Sequence, residues 1–129
     1  MARRTDEGQA ATELALVLPV LVLLLLAVVQ VTVIARDQVL VVHAAREAAR
    51  QASIDFRPSA IRSAALRAAP GLKPGRLGTD SDHGGAFPVI VTVRVVYRAP
   101  TDVALIGPLL PDVVVEANAA MRREVAGEL

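Results

Sequence analysis

Hydrophobic and polar residues divide the chain into a long uncharged segment near the N terminus and a more mixed remainder. Residues 14–35 contain no charged side chain, whereas charged residues recur on both sides of them. A helix of about 20 residues crosses a hydrocarbon core of about 30 Å, so this segment is long enough to span a membrane. Pro19 lies in its first turns, where neighbouring helices can satisfy the freed carbonyl. The pattern therefore predicts a transmembrane helix over residues 9–35.

The charges that flank this segment favour one orientation. Arg3 and Arg4 precede it, and positive charge beside a first span favours the cytoplasmic side. Arg36 flanks the other end, but Asp37 and a long tail follow it. We therefore expect a cytoplasmic N terminus, a single pass through the cytoplasmic membrane and an extracytoplasmic region over residues 36–129.

A cleaved secretory signal is the competing interpretation of the same segment. Val33, Ile34 and Ala35 place small residues at offsets that suit signal peptidase. However, the apolar run is longer than the usual apolar region of about 7–15 residues, and acidic residues interrupt the basic region before it.

After the span, the chain keeps strong helix formers up to about residue 54, which predicts a helix over residues 37–54. At 100° per residue, its polar side holds Arg36, His43, Arg46, Glu47, Arg50 and Gln51. The opposite side holds Val41, Val42, Ala45, Ala48, Ala49 and Ala52. This is an amphipathic helix with an apolar side made mostly of alanines, which allow close approach of another backbone. Arg46 and Arg50 form a basic pair one turn apart, either on a solvated face or as a partner-binding patch.

The middle of the chain predicts a short helix and then a loop. Pro58 ends the long helix, and Ser59 is expected to cap a second helix over residues 60–69. Residues 70–86 are rich in glycine, proline and aspartate, which favours a loop. Asp80, Asp82 and the glycines after His83 begin like a calcium loop. Position 91 is valine where such a loop needs glutamate, so a polar turn is favoured over a metal site.

Two segments near the C terminus alternate with a period of two. Residues 88–98 and 113–122 place valine, alanine and tyrosine on one face and polar residues on the other, which predicts two antiparallel, half-buried strands. Two strands alone are marginal in water, so they are expected to pack on the alanine side of the helix. The predicted head is therefore α+β. Its apolar connection, residues 103–110, covers the core, contacts the bilayer or binds a partner.

Composition and charge exclude several classes of function. The net charge of +1 and an aromatic content of 2% argue against nucleic-acid binding. The chain has no cysteine, which excludes disulfides and thiol chemistry. No nucleophile–base pair or phosphate-binding glycine loop is evident, so neither an enzyme nor a cofactor is predicted.

Glu13 lies at the start of the apolar run, five residues after Gly8. In one interpretation it marks the water interface, where a carboxylate costs little. In the other it enters the bilayer, where a charge costs on the order of 2.5–3.5 kcal/mol and needs a partner. Cutting after Gly8 would supply such a partner, namely the new amine of Gln9 in a neighbouring subunit.

These residues resemble a known family. The segment EGQAATELALVLPVLVLLLLAVVQ, followed by HAAREAARQAS, is similar to the TadE-like pseudopilins of tight-adherence (Flp) pilus systems. The resemblance covers residues 3–54. It implies that residues 1–8 are a cytoplasmic leader, removed by a prepilin peptidase, and that Glu13 acts in assembly.

The resemblance also implies a function and partners. The chain would be a minor pilin or pseudopilin that contacts other pilin subunits, an inner-membrane assembly platform and the lipid bilayer. Gln9 stands where many pilins have phenylalanine, so N-methylation does not follow from the resemblance. The alternative is a single-pass anchor whose head binds a ligand or protein partner.

Overall fold

The computed structural model describes residues 3–85, 89–101, 107 and 111–123, with the side chains of residues 3–7 left aside. Contacts within the chain divide it into two units. The first comprises Met1–Thr32 and Thr101–Pro111, and the second comprises Val33–Pro100 and Asp112–Leu129.

The first helix, α1 (Arg3–Ile54), contains both the predicted span and the predicted amphipathic helix. No break separates the two parts, because the sequence supplies helix formers throughout and Pro19 is accommodated inside the helix. The last turn closes with a hydrogen bond of 2.8 Å from the amide of Asp55 to the carbonyl of Gln51. The helix therefore ends just before Pro58, as predicted.

The second helix, α2 (Pro58–Ala68), begins two residues earlier than expected. The prediction that Ser59 caps it was wrong. Arg57 is the capping residue, with extended backbone angles and no side-chain cap bond, and Pro58 occupies the first turn. Proline suits this position because its fixed φ matches the helix and no partner is needed for its missing N–H.

A three-stranded antiparallel sheet follows in the order β1 (Leu77–His83), β2 (Ile90–Ala99) and β3 (Val113–Arg122). The prediction of β3 matches its bounds, and that of β2 is close to them. The predicted loop over residues 70–86 was wrong for 77–83, which form β1. A short 3₁₀ helix, Pro74–Arg76, precedes that strand. The start of the predicted β2 at Pro88 and most of the apolar connection 103–110 lie outside the described residues.

The core lies between the sheet and the helices of the second unit. On β2, the predicted inward residues Val91, Val93, Val95 and Tyr97 are buried. They join one cluster with the alanine side of α1 and with Ile61 and Ala65 of α2. The buried members from α1 are Val41, Ala44, Ala45, Ala48, Ala49 and Ala52. The expected packing of the strands on the alanine side is confirmed, and the fold is α+β.

Two side chains connect the helices to the sheet through backbone carbonyls. The amide of Gln38 donates a hydrogen bond of 3.1 Å to the carbonyl of Glu116 in β3. The guanidinium of Arg62 in α2 donates to the carbonyls of Leu77 at 2.6 Å and Pro74 at 2.7 Å. Such charge-assisted bonds fix α2 against the start of β1.

Candidate functional site

The segment from Gly8 to Glu13 is helical and exposed within α1. The amide of Gln9 donates a hydrogen bond of 3.2 Å to the carboxylate of Glu13. The hydroxyl of Thr12 donates one of 2.9 Å to the carbonyl of Gly8. Both bonds join residues one turn apart. The bond from Thr12 spans the peptide bond between Gly8 and Gln9, and the bond from Gln9 begins directly after it.

This geometry has two chemical consequences. A protease that cuts after Gly8 must first open the helix, and glycine lowers the cost of opening by about 1 kcal/mol relative to alanine. Cutting there would make Gln9 the first residue of the helix, one turn before Glu13.

The segment after Glu13 presents apolar side chains on all sides. One described helix, Gly8–Ile54, is long and apolar enough to cross a membrane. Leucines around it stay exposed, for example Leu16 at 73% and Leu25 at 63%. Exposed apolar surface of this extent is rare on soluble proteins and suits lipid or neighbouring helices. The chain therefore carries a candidate membrane anchor near its N terminus.

Gln30 is an exception within this apolar segment. Gln30 is only 5% exposed, and neither polar atom of its side chain has a hydrogen-bond partner within the described part of the chain. Burying an amide without a hydrogen bond costs about 1–3 kcal/mol. The sequence places Gln30 near the end of the span but does not indicate its burial.

Asp37 is a second buried polar residue, at the start of the second unit. Asp37 is 7% exposed, and its carboxylate accepts no hydrogen bond from any residue that the structure describes. Burial raises the pKa of its carboxyl, and the charge of Arg36 partly opposes this shift. Asp37 lies one turn before Val41, on the side of α1 that faces the core. That spacing was the only signal of burial in the sequence.

The two arginines of the basic pair on α1 have different surroundings. Arg46 is exposed, whereas Arg50 forms an ion pair of 2.5 Å with Glu47. The hydrogen bond from Arg50 lowers the pKa of the Glu47 carboxyl, and the same bond raises the pKa of Arg50. The pair of cations is therefore partly neutralised, and Arg46 carries most of the available positive charge.

The residues considered for a metal site are not arranged as a loop. Asp80 and Asp82 lie in β1, opposite Arg94 and Thr92 of β2. Within the described ranges, no three potential metal-ligating side chains come together. The polar-turn interpretation was wrong for residues 80–83, because they form part of the ladder between β1 and β2. His83 instead stacks on Phe56 at 4.8 Å between ring centroids.

Comparison with known proteins adds one finding. The model of the TadE-like protein family matches residues 8–50. The matched part includes Gly8, Glu13, the apolar segment and the AAREAAR motif, and it confirms the resemblance noted in the sequence. No curated protein and no solved structure matches the chain.

Proposed function

We propose that this chain is a minor pilin or pseudopilin that takes part in assembly of a tight-adherence pilus. The observation that carries this proposal is the combination of Gly8, Glu13 and an exposed apolar helix inside the TadE-like match. The match supports a pilus-related role and a membrane-anchoring helix.

The proposed mechanism has three steps. The chain enters the cytoplasmic membrane with its N terminus inside, a prepilin peptidase cuts between Gly8 and Gln9, and the mature helix packs laterally against other subunits. A carboxylate drawn into the bilayer needs a compensating charge, and the amine of a neighbouring processed subunit supplies it to Glu13. The chain acts by packing and not by catalysis.

The proposal is tested by replacing Glu13 with glutamine in cells that make the pilus. Glutamine keeps the size and the hydrogen bond with Gln9 but removes the charge that a neighbour neutralises. Pilus yield is expected to fall while the amount of membrane-inserted protein stays the same. Glu116→Gln is the matched control, because Glu116 is an exposed carboxylate on β3 and its ion pair with Arg94 is exposed too, so its loss should cost little stability.

Normal pilus yield in Glu13→Gln cells would contradict the proposed role of the carboxylate. It would favour the alternative, a single-pass anchor whose head binds a partner and in which Glu13 only marks the membrane boundary. A loss of yield in both variants would point to general damage to the chain.

A further inference from the structure

Cationic side chains gather at one end of the sheet in the second unit. Arg62 binds the carbonyls of Leu77 and Pro74 at the start of β1. Arg76 lies beside Asp112, at 2.7 Å. Arg98 follows Tyr97, which pairs with Leu77, so it lies at the matching end of β2. These three arginines come from three elements that meet at the same end of the sheet.

Arg36 extends this basic end to the point at which α1 enters the unit. A side-chain carbon built on Gly71 would lie 3.2 Å from the guanidinium of Arg36, so Arg36 lies against the segment that leads into β1. Lys73 belongs to that same segment. Arg36 is also the first residue after the uncharged run 14–35, so it lies close in the chain to the predicted span.

The acidic residues are distributed differently. At the basic end, Asp112 is paired with Arg76 and Asp37 is buried. The exposed aspartates Asp80 and Asp82 lie further along β1, toward His83. The far end of the sheet therefore carries both signs, because the exposed arginines Arg122 and Arg123 lie there with these aspartates, whereas the exposed Asp112 at the basic end is already paired with Arg76.

A shallow pocket of about 390 Å³ opens at the basic end. Arg76, Arg98 and Asp112 line it, together with Gly75 and Gly78. Because Gly78 has no side chain, the space above Val96 on the neighbouring strand stays open. The guanidinium of Arg98 lines the pocket and has no ion pair or hydrogen bond with a residue in the described ranges.

We propose that this pocket binds the phosphate of an anionic phospholipid headgroup, with Arg98 and Arg76 as the binding groups. Arginine is suited to phosphate because its planar guanidinium offers paired donors. Basic pockets close to a span are a recognised way to bind anionic headgroups, and each cation near the surface contributes. The proposal requires that α1 crosses a membrane, but it does not depend on pilus assembly.

The positive charge of this end and its closeness in the chain to the uncharged run both favour a membrane lipid as the ligand. Arg36 enters the head directly from the uncharged run, so a membrane surface is the nearest extended source of negative charge. Docking at this end would hold the head against the bilayer from which the chain emerges.

The experiment uses the full chain in lipid vesicles. The protein has no cysteine, so single cysteines can carry a fluorescent donor, and an acceptor is attached to lipid headgroups. Gly75→Cys places the donor at the basic end, and Gly85→Cys places it near the end of β1. An added side-chain carbon meets nothing within 4 Å at either position. Vesicles contain phosphatidylcholine alone or phosphatidylcholine with phosphatidylglycerol.

Energy transfer from position 75 is expected to be greater in the phosphatidylglycerol vesicles, whereas transfer from position 85 should change little. Arg98→Gln is expected to weaken docking about fivefold, in line with the contribution of one cation near an anionic surface. Arg122→Gln is the matched control, since it removes an exposed arginine from the opposite end of β3 and should leave docking unchanged.

Equal transfer in both kinds of vesicle would overturn the proposal. So would equal losses in Arg98→Gln and Arg122→Gln, which would show a dependence on net charge alone. Inorganic phosphate that abolishes the difference at constant ionic strength would identify a free-phosphate site. If soluble polyglutamate reduces the energy transfer from position 75 and added anionic vesicles do not, the pocket binds a protein partner. Vesicle retention of every variant is measured separately, so failure of insertion is distinguished from failure of docking.

Discussion

The amide of Gln9 donates a hydrogen bond of 3.2 Å to the carboxylate of Glu13, one turn further along α1. In the uncut chain, Glu13 is therefore bound to a neutral group from its own helix. After cutting, Gln9 would become the first residue and would keep its side-chain amide, so a charged group from another chain would compete with this bond for the carboxylate. The bond connects the proposed cleavage position with the proposed assembly residue.

Gly8→Ala is expected to slow processing without preventing membrane insertion. The added carbon meets nothing within 4 Å, so the fold accommodates it. Alanine stabilises a helix by about 1 kcal/mol relative to glycine, so the open form that a protease needs becomes roughly fivefold rarer. The measurement is the rate at which the precursor is converted after a pulse label. Gly75→Ala is the control, and an unchanged or faster rate for Gly8→Ala would contradict helix opening as a limiting step.

Asp37→Asn is expected to stabilise the head at neutral pH. Burial raises the pKa of Asp37 in the folded chain, whereas an unfolded aspartate ionises near pH 3.9. Between these two values the folded state holds a proton that the unfolded state lacks, so stability falls as pH rises through this window. Above it, the buried charge remains a cost that asparagine removes. The expected gain is on the order of 1 kcal/mol.

Tyr97 is 2% exposed, and its fluorescence can report thermal unfolding in detergent, because the chain has no tryptophan. The pH dependence of the melting temperature should be shallower in Asp37→Asn than in the parent protein. Asp82→Asn, at an exposed position, should leave the profile unchanged. A lower melting temperature for Asp37→Asn at neutral pH would show that the carboxylate stabilises the fold.

Ala48→Leu is expected to destabilise the head by about 1–3 kcal/mol, because overfilling a close-packed contact forces strain. Ala48 is 0% exposed in the cluster that joins α1 to the sheet. Val39→Leu adds bulk on the same helix at a side chain that is 56% exposed, and it should have little effect. Equal melting temperatures for the two variants would mean that the alanine side does not pack closely on the sheet.

The double variant Arg46→Gln/Arg50→Gln tests the proposal that these residues bind a partner. The ion pair of Arg50 with Glu47 is exposed, so its loss should change stability by less than about 1 kcal/mol. A partner-binding patch predicts lower pilus yield with an unchanged melting temperature. Unchanged yield would assign the pair to a solvated face.

The parts of the fold that could be predicted are those with strong periodicity. Val91, Val93 and Val95 alternate with polar residues, and the alanines of α1 recur at helical spacing. β1 was missed because Asp80, Asp82 and Gly78 are residues that strands disfavour, and pairing with β2 overrides that preference.

The linear motif of the candidate site could be predicted from the sequence, whereas the features that depend on packing or strand register could not. Gly8 and Glu13 form a linear motif, so their spacing is visible without a structure. The burial of Gln30 has no signal in the sequence, and that of Asp37 has only its spacing of one turn from Val41. That Arg76 and Arg98 line the same pocket likewise depends on the register of β1 and β2, and β1 was not predicted.

Intact-mass spectrometry of the membrane-extracted protein tests whether the chain is a processed pilin-like subunit. In cells with an active prepilin peptidase, we expect a mature chain that lacks residues 1–8 and begins at Gln9. The same cells without the peptidase should retain the full chain. A chain that keeps residues 1–8 in the presence of the active peptidase would contradict processing at this position.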